Sequence, residues 1–254
     1  MCATAPPEGR AKFRLSHRHL HRLIVSADEN LLIESLPSHD KSRLLALCEH
    51  HDLIAGDVLC QPGEEMRHVY FPLAGTVSLI ASTIDGQGLE VGIVGREGML
   101  GAQFIFASPV PTLRATARGA GAARRVEAGA FNAELARSPA LQLGLSRCLA
   151  VLMGQLSASA ACLHFHTVRA RLARWMLLAL DRTSGANLSI THKELGRLLG
   201  VRRVSITDAA CVLQRLGLIE YKRGTLSVTD RSGLEMAACC CYESDRRAYV
   251  ESLK

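Results

Sequence analysis

"THKELGRLLGVRRVSITDAACVLQRLGLIEYKRGTLSV", Thr191 to Val228, holds two helical patterns with a glycine between them. Thr191 is a good N-cap. Glu194, three residues on, completes a capping box in which each side chain accepts from the other residue's free backbone amide. The first helix should run to about Leu199 and bury Leu195, Leu198 and Leu199. Gly200 suits the left-handed conformation that turns the chain, because it has no Cβ to clash. A second helix should start near Arg202. Ile206, Ala209, Ala210, Leu213 and Leu216 recur at helical spacing and form its inner face. Arg202, Arg203, Ser205, Thr207 and Asp208 occupy the other face, near its start. "LGLIEYKRGTLSV" then reads as two short strands around a Lys-Arg-Gly turn.

Such a unit is a helix-turn-helix followed by a wing. The small Ala209 and Ala210 let its helices approach closely. The start of the second helix is where these motifs meet base edges in the major groove. A generic helical hairpin shows the same apolar spacing but needs neither a basic outer face nor a basic hairpin. The candidate base-reading residues are Arg203, Val204, Ser205 and Asp208. Arginine reads guanine bidentately, whereas valine offers only apolar contact, for instance to a thymine methyl. Thr191, His192, Arg202, Lys222 and Arg223 are candidate phosphate contacts, which position a protein without reading sequence.

Charge placement agrees. The 254-residue chain carries a net +6. Val168 to Arg231 holds twelve Lys and Arg against five Asp and Glu, while Met1 to Thr167 holds fifteen of each. The excess is confined to the part with the opening stretch, as expected where one domain meets a polyanion. Double-stranded DNA is the expected partner. No secretory signal is apparent at the start and no run of about 18 apolar residues escapes charge, so a cytoplasmic protein without a membrane partner is expected.

Upstream the texture changes three times. Residues 1–30 read as a basic flexible tail in which His17, His19 and His21 alternate. From Leu31 a short helical pattern leads into a middle with twelve glycines between Ala55 and Ala130. Short apolar runs such as "TVSLIAS" and the hairpin turn "DGQG" (Asp85 to Gly88) point to an antiparallel β-domain over residues 31–135. Beyond Pro139, Leu141, Leu145, Cys148, Leu152, Leu156, Ser159 and Leu163 recur in steps of three and four. That is close to a coiled-coil stripe on a helix about 40 Å long. Leu141, Leu145, Cys148, Leu152, Leu156 and Leu163 are therefore the expected dimer seam within residues 136–166; the alternative is a helix packed on its own β-domain. The winged domain spans 167–235, and a C-terminal extension 236–254 follows.

This order of parts resembles the cyclic-AMP receptor protein and fumarate-nitrate regulator (Crp/Fnr) family of bacterial transcription factors, from Leu31 to Leu234. "GDVLCQPGE" (Gly56–Glu64), "VYFPLAGTVSL" (Val69–Leu79), "HTVRARLARWMLLA" (His166–Ala179) and the opening stretch carry the likeness. It implies an α+β fold: an N-terminal cyclic-nucleotide-binding-like β-roll (jelly roll), a long dimerisation helix and a C-terminal winged helix-turn-helix. It further implies a homodimer on a near-palindromic promoter site, an effector domain in control, and RNA polymerase as a partner.

The chain departs from the family at its cyclic-nucleotide cassette. Ala102 stands where the cassette has a Glu, and Leu113-Arg114 where it has Arg followed by Ser or Thr. A one-residue shift in a strand turns a side chain to the opposite face. Gly101, Ala102, Arg114 and Arg118 are the candidate effector-pocket residues, and no cyclic nucleotide or other cofactor is expected. In the second helix, only Arg203 matches the family's Arg-Glu-x-x-x-Arg pattern, so the DNA target should differ from the family's best-known sites.

The nine cysteines include no CxxC pair, and the positions of Cys2, Cys48 and Cys60 do not form an iron-sulfur pattern. Consecutive Cys239, Cys240 and Cys241 would point about 100° apart on a helix, so no metal site is expected there; redox sensitivity stays open. The ten histidines form no HExxH motif, so an enzyme is not expected, and His164 and His166 read as structural or solvent-facing. The competing reading is a ligand-binding module that acts through protein contacts without DNA.

Overall fold

The computed structural model describes residues 29–183, 187–222 and 224–252. Cys2, the histidines of the tail and the wing-tip Arg223 lie outside the described residues. The fold opens with α1 (Leu31–Glu34) and α2 (Ser38–Leu47). Asn30 is fully buried, yet its Oδ1 caps α1 and its amide donates to the carbonyls of Pro72 and Gly98 at 3.0 and 2.9 Å. With those partners its burial is tolerated.

The strands of the β-roll are β1 (Glu49–Leu53), β2 (Val58–Cys60), β3 (His68–Ala74), β4 (Val77–Ser82), β5 (Gly88–Val94), β6 (Arg114–Ala117) and β7 (Gly121–Glu127). They form two antiparallel sheets, ordered β1-β7-β3 and β2-β6-β4-β5. Val69, Phe71, Val77, Ala115 and Ala123 are fully buried within its core. β4 and β5 join through Thr83–Gln87, with Gly86 at φ 81° where a Cβ would be strained. The expected "DGQG" turn is thus in place.

α3 (Ala128–Arg137) passes through Ser138 into α4 (Pro139–Phe165), which is 27 residues long. Ser138 caps α4, and Pro139 begins it where a missing N–H leaves no hydrogen bond unmade. The expected seam needs correction. Leu141 and Leu145 are wholly buried against the β-roll, Cys148 and Leu152 pack on the same core, and only Leu156 and Leu163 reach solvent. From Leu141 to Leu152 the stripe covers the chain's own β-domain and is not available to a partner, whereas Leu156 and Leu163 remain exposed. A different stripe faces outward: Leu143, Ser146, Ala150, Met153, Ser157, Ala160 and His164, again in steps of three and four.

The expectation on charge is also corrected. Eighteen uncharged residues, Cys148 to Phe165, follow Arg147, and α4 is long and apolar enough to cross a membrane by length and composition. Val151, Gln155 and Cys162 on its inner side are buried within the protein.

The chain continues as α5 (Val168–Leu180), β8 (Asn187–Ser189), α6 (His192–Leu198), α7 (Arg203–Arg215), β9 (Ile219–Lys222) and β10 (Thr225–Val228). The wing is a three-stranded sheet ordered β8-β10-β9, one strand more than expected. Leu172, Met176, Leu195, Ile206, Leu213 and Leu226 fill a second core beneath it. α8 (Arg231–Ala237) and α9 (Cys241–Ser252) then fold back, with Asp245 of α9 paired to Arg174 of α5 at 2.7 Å. Between the domains, Glu97 meets Arg182 at 2.6 Å with both side chains buried, and Trp175 Nε1 donates to Glu90 at 2.5 Å.

Candidate DNA-binding face and effector cavity

The local chemistry of the helix-turn-helix matches its sequence closely. Thr191 Oγ1 accepts from Glu194 N at 3.2 Å, and Glu194 accepts from Thr191 N at 2.8 Å, closing the capping box. Gly200 turns the chain at φ 62°. Gly196 packs so tightly that a Cβ there would lie 2.9 Å from the Val201 carbonyl oxygen. α7 begins after Arg202, and Ile206, Ala209, Ala210 and Leu213 are buried. Leu216 departs from expectation: α7 ends at Arg215, and Leu216 at its C-cap is 60% exposed.

Arg202, Arg203, Val204 and Asp208 are exposed together at the start of α7, and Ser205 is half-buried beside them. Lys222 is exposed on the wing, within 2.5 Å of Glu220. His192 is a correction. Its Nδ1 lies 3.0 Å from Thr207 Oγ1, its ring stacks on Tyr221 at 4.3 Å, and its Nε2 is buried. Burial, helped by the charge of Arg203, holds its pKa below the usual value. Neither ring nitrogen is presented to a phosphate; the ring wedges the wing against α7. Thr191 is exposed, but its hydroxyl is engaged with Glu194 at 2.7 Å.

A cavity of about 360 Å³ opens between the β-roll and α4. Gly101 and Ala102 lie on its wall, as expected, and so does Leu113. Arg114 and Arg118 do not. Along β6, Ala115 and Ala117 are buried and Arg114 and Thr116 are only half-buried, so Arg114 sits on the other face of the strand. Arg118 donates to Ser78 Oγ at 2.7 Å and to Glu90 at 3.0 Å, and its guanidinium lies 5.4 Å over Trp175. Among the described residues, Glu97 is the one Asp, Glu, Lys, Arg or His on the wall, and it is already paired with Arg182.

Sequence reading missed the contribution of α9. Tyr249 lines the cavity, donates to the Ile93 carbonyl at 3.1 Å and meets Gln155, whose Oε1 accepts from Ile93 N at 2.9 Å. Burial raises the Tyr249 phenol well above its usual pKa, so it stays a donor. Tyr249 and Ile93 lie 156 residues apart, a contact that no local pattern announces.

The family model of the cyclic nucleotide-binding domain matches residues 51–138, and that of the Crp-like helix-turn-helix domain matches residues 170–237. The chain belongs to the Crp/Fnr family. Its members are DNA-binding transcription regulators with a ligand-sensing domain, not enzymes. The cAMP-activated global transcriptional regulator Vfr of Pseudomonas aeruginosa is 23% identical over 199 residues, covering 73% of this chain and 92% of Vfr. Two solved structures share the fold. A putative Crp/Fnr regulator from Eubacterium rectale has TM-score 0.65 at 16% identity, covering 82% of this chain and 99% of that one. The c-di-GMP responsive global regulator CLP of Xanthomonas campestris has TM-score 0.61 at 21% identity, covering 76% and 99%.

Within this Crp/Fnr chain the cysteines are arranged in an unexpected way. Cys239 precedes α9 and Cys241 begins it, so the triplet does not lie along a helix. Cys239 and Cys241 are buried, while Cys240 between them is exposed. The helical premise of the expectation does not hold, yet the three consecutive cysteines still do not face one point together: Cys240 stays outside, and Cys239 and Cys241 gather with two residues from elsewhere. Cys162 and His166, at the end of α4, complete the group.

Proposed function

We propose that the protein is a homodimeric regulator that binds a near-palindromic promoter site and acts with RNA polymerase in the cytoplasm. The observation that carries the reading is the exposed tip of α7, where Arg202 and Arg203 stand clear of the protein core beside the wing. Arg203 supplies direct readout, with Val204, Ser205 and Asp208 flanking it; Arg202, Lys222 and Arg223 hold phosphates. The outward stripe of α4 from Leu143 to His164 supplies the dimer seam. Pairing there sets two recognition helices about 34 Å apart, one turn of the duplex.

The cavity takes a small, mostly apolar effector rather than a cyclic nucleotide. Among the described residues its wall offers no cation to a phosphate, and an anion buried without a partner costs several kcal/mol. Occupancy can reach the DNA-binding domain because Glu97 on the wall is clamped to Arg182, just after α5. A ligand that prefers one arrangement of that clamp shifts the dimer toward it.

Selection of bound fragments from random duplex DNA, with sedimentation of the free protein, tests the reading. The expected result is a two-fold-symmetric consensus bound by a dimer. Affinity that is absent, or that shows no salt dependence, removes DNA binding from the account.

A further inference from the structure

Four side chains meet where the long helix ends and the C-terminal extension turns back. Cys162 and His166 are four residues apart on the last turn and cap of α4, so they share a face. Cys239 comes from the turn between α8 and α9, and Cys241 is the first residue of α9. One ligand atom from each of the four lies within 4.8 Å of every other. Cys162 Sγ is 3.2 Å from Cys239 Sγ, and Cys241 Sγ is 3.7 Å from His166 Nδ1. The three sulfurs are buried and the imidazole is half-buried. We propose that Cys162, His166, Cys239 and Cys241 bind one thiophilic divalent cation of the zinc class in a tetrahedral Cys3His site.

The geometry favours a single ion. Metal–sulfur bonds of about 2.3 Å and metal–nitrogen bonds of about 2.0 Å in a tetrahedron set ligand atoms about 3.5–3.8 Å apart. The Cys241–His166 separation of 3.7 Å falls in that range, the Cys162–Cys239 separation of 3.2 Å is slightly shorter, and all four ligand atoms lie within 4.8 Å of one another. A Cys162–Cys239 disulfide would use two of the four groups and leave Cys241 and His166 without a role. As the ion binds, each of the three thiols gives its proton to solvent and the ion exchanges its waters for three thiolates and a neutral imidazole. The residual negative charge of such a centre is met by Arg171 and Arg174, which line the same cleft as Cys162. The zinc-class preference follows from the soft sulfur donors and the absence of an open fourth position.

The site ties together two parts of the chain that also meet through Arg174–Asp245 and Gln155–Tyr249. One is the end of α4, next to Thr167, where the chain enters the DNA-binding domain. The other is the start of α9, which carries Tyr249 to the cavity wall. An ion here fixes the extension as a strut between hinge and cavity, a structural role rather than a catalytic one.

The test uses the full chain, purified with reductant and without chelator. Elemental analysis should find about one zinc per chain, and the stripped protein should take up cobalt(II) with the intense visible and thiolate charge-transfer bands of tetrahedral sulfur ligation. Zinc should bleach them. Cys162→Ser and Cys239→Ser should each lose the metal, while Cys211→Ser, at an exposed cysteine, keeps it. Cobalt that yields no thiolate bands in the folded wild-type chain overturns the proposal without recourse to any variant. So does iron with acid-labile sulfide, metal retained in Cys162→Ser, or a Cys162–Cys239 disulfide found by mass mapping of protein offered zinc under reducing conditions.

Discussion

Along α7 the charged side chains point outward and only apolar residues at helical spacing go in. Around the β-roll cavity the order is reversed: Arg114 lies on the far face of its strand, Arg118 is bound to Ser78 and Glu90, and the wall is mostly apolar. The contrast follows from what each surface meets. Every duplex is a polyanion, so a DNA-binding face keeps its cations whatever sequence it reads. A sensory cavity has no fixed ligand, and its chemistry is free to change. The two elements also differ in tolerance. A one-residue shift turns a helical side chain by about 100°, but in a strand it reverses the face. Arginine one position late in β6 therefore leaves the cavity altogether.

The largest effect should come from the link between these regions. Glu97 and Arg182 form a buried ion pair joining cavity wall to DNA-binding domain. Arg182→Ala leaves a buried carboxylate uncompensated and should cost about 3–5 kcal/mol in urea unfolding. Glu97→Leu combined with Arg182→Met should recover most of that loss. If Arg182→Ala unfolds like the parent, the cavity and the DNA-binding face are not coupled through this pair.

On the DNA face itself, Arg203→Ala should cost about 1–3 kcal/mol, concentrated at one base pair, and relax sequence choice there. Lys222→Ala should do less and do it evenly, weakening all duplexes alike and lowering the salt slope by about 1. Binding measured across a panel of single-base variants at several salt concentrations separates the two. Identical sequence profiles for both mutants would erase the distinction between reading and positioning.

The fold of the winged unit was legible because that unit is local. The cap at Thr191, the glycine at Gly200 and the apolar spacing of α7 all lie within a few residues of what they determine. The β-roll was legible as a class, through its turns and short strands, but not in its details. The stripe Leu141 to Leu152 satisfied a coiled-coil spacing and a barrel-covering helix equally well, since both need the same apolar period; only the tertiary partner decides. His192 was misread because its stacking on Tyr221 spans a turn and a helix. The cysteine group and Tyr249 were invisible for a further reason: each joins α4 or β5 to the C-terminal extension, across a separation no window covers.

Cyclic AMP should have the smallest effect of all. Binding to the native state alone raises stability by RT ln(1 + [L]/Kd), so even weak occupancy would shift the unfolding midpoint measurably at high ligand concentration. Here the cyclic phosphate would enter a cavity whose one charged wall residue, among those described, is Glu97, of the same sign. Desolvating that anion is not offset by any cation on the described wall, and the nearby Arg182 is already paired with Glu97, so the midpoint and the DNA affinity should both stay unchanged. Ala102→Glu with Leu113→Arg supplies the missing pair on side chains that already line the cavity. If the doubly substituted protein gains a nucleotide-dependent shift that the parent lacks, the difference between the two surfaces reduces to which way two side chains face. A shift in the parent would instead mean that Arg114 or Arg118 leaves its present position to meet the phosphate.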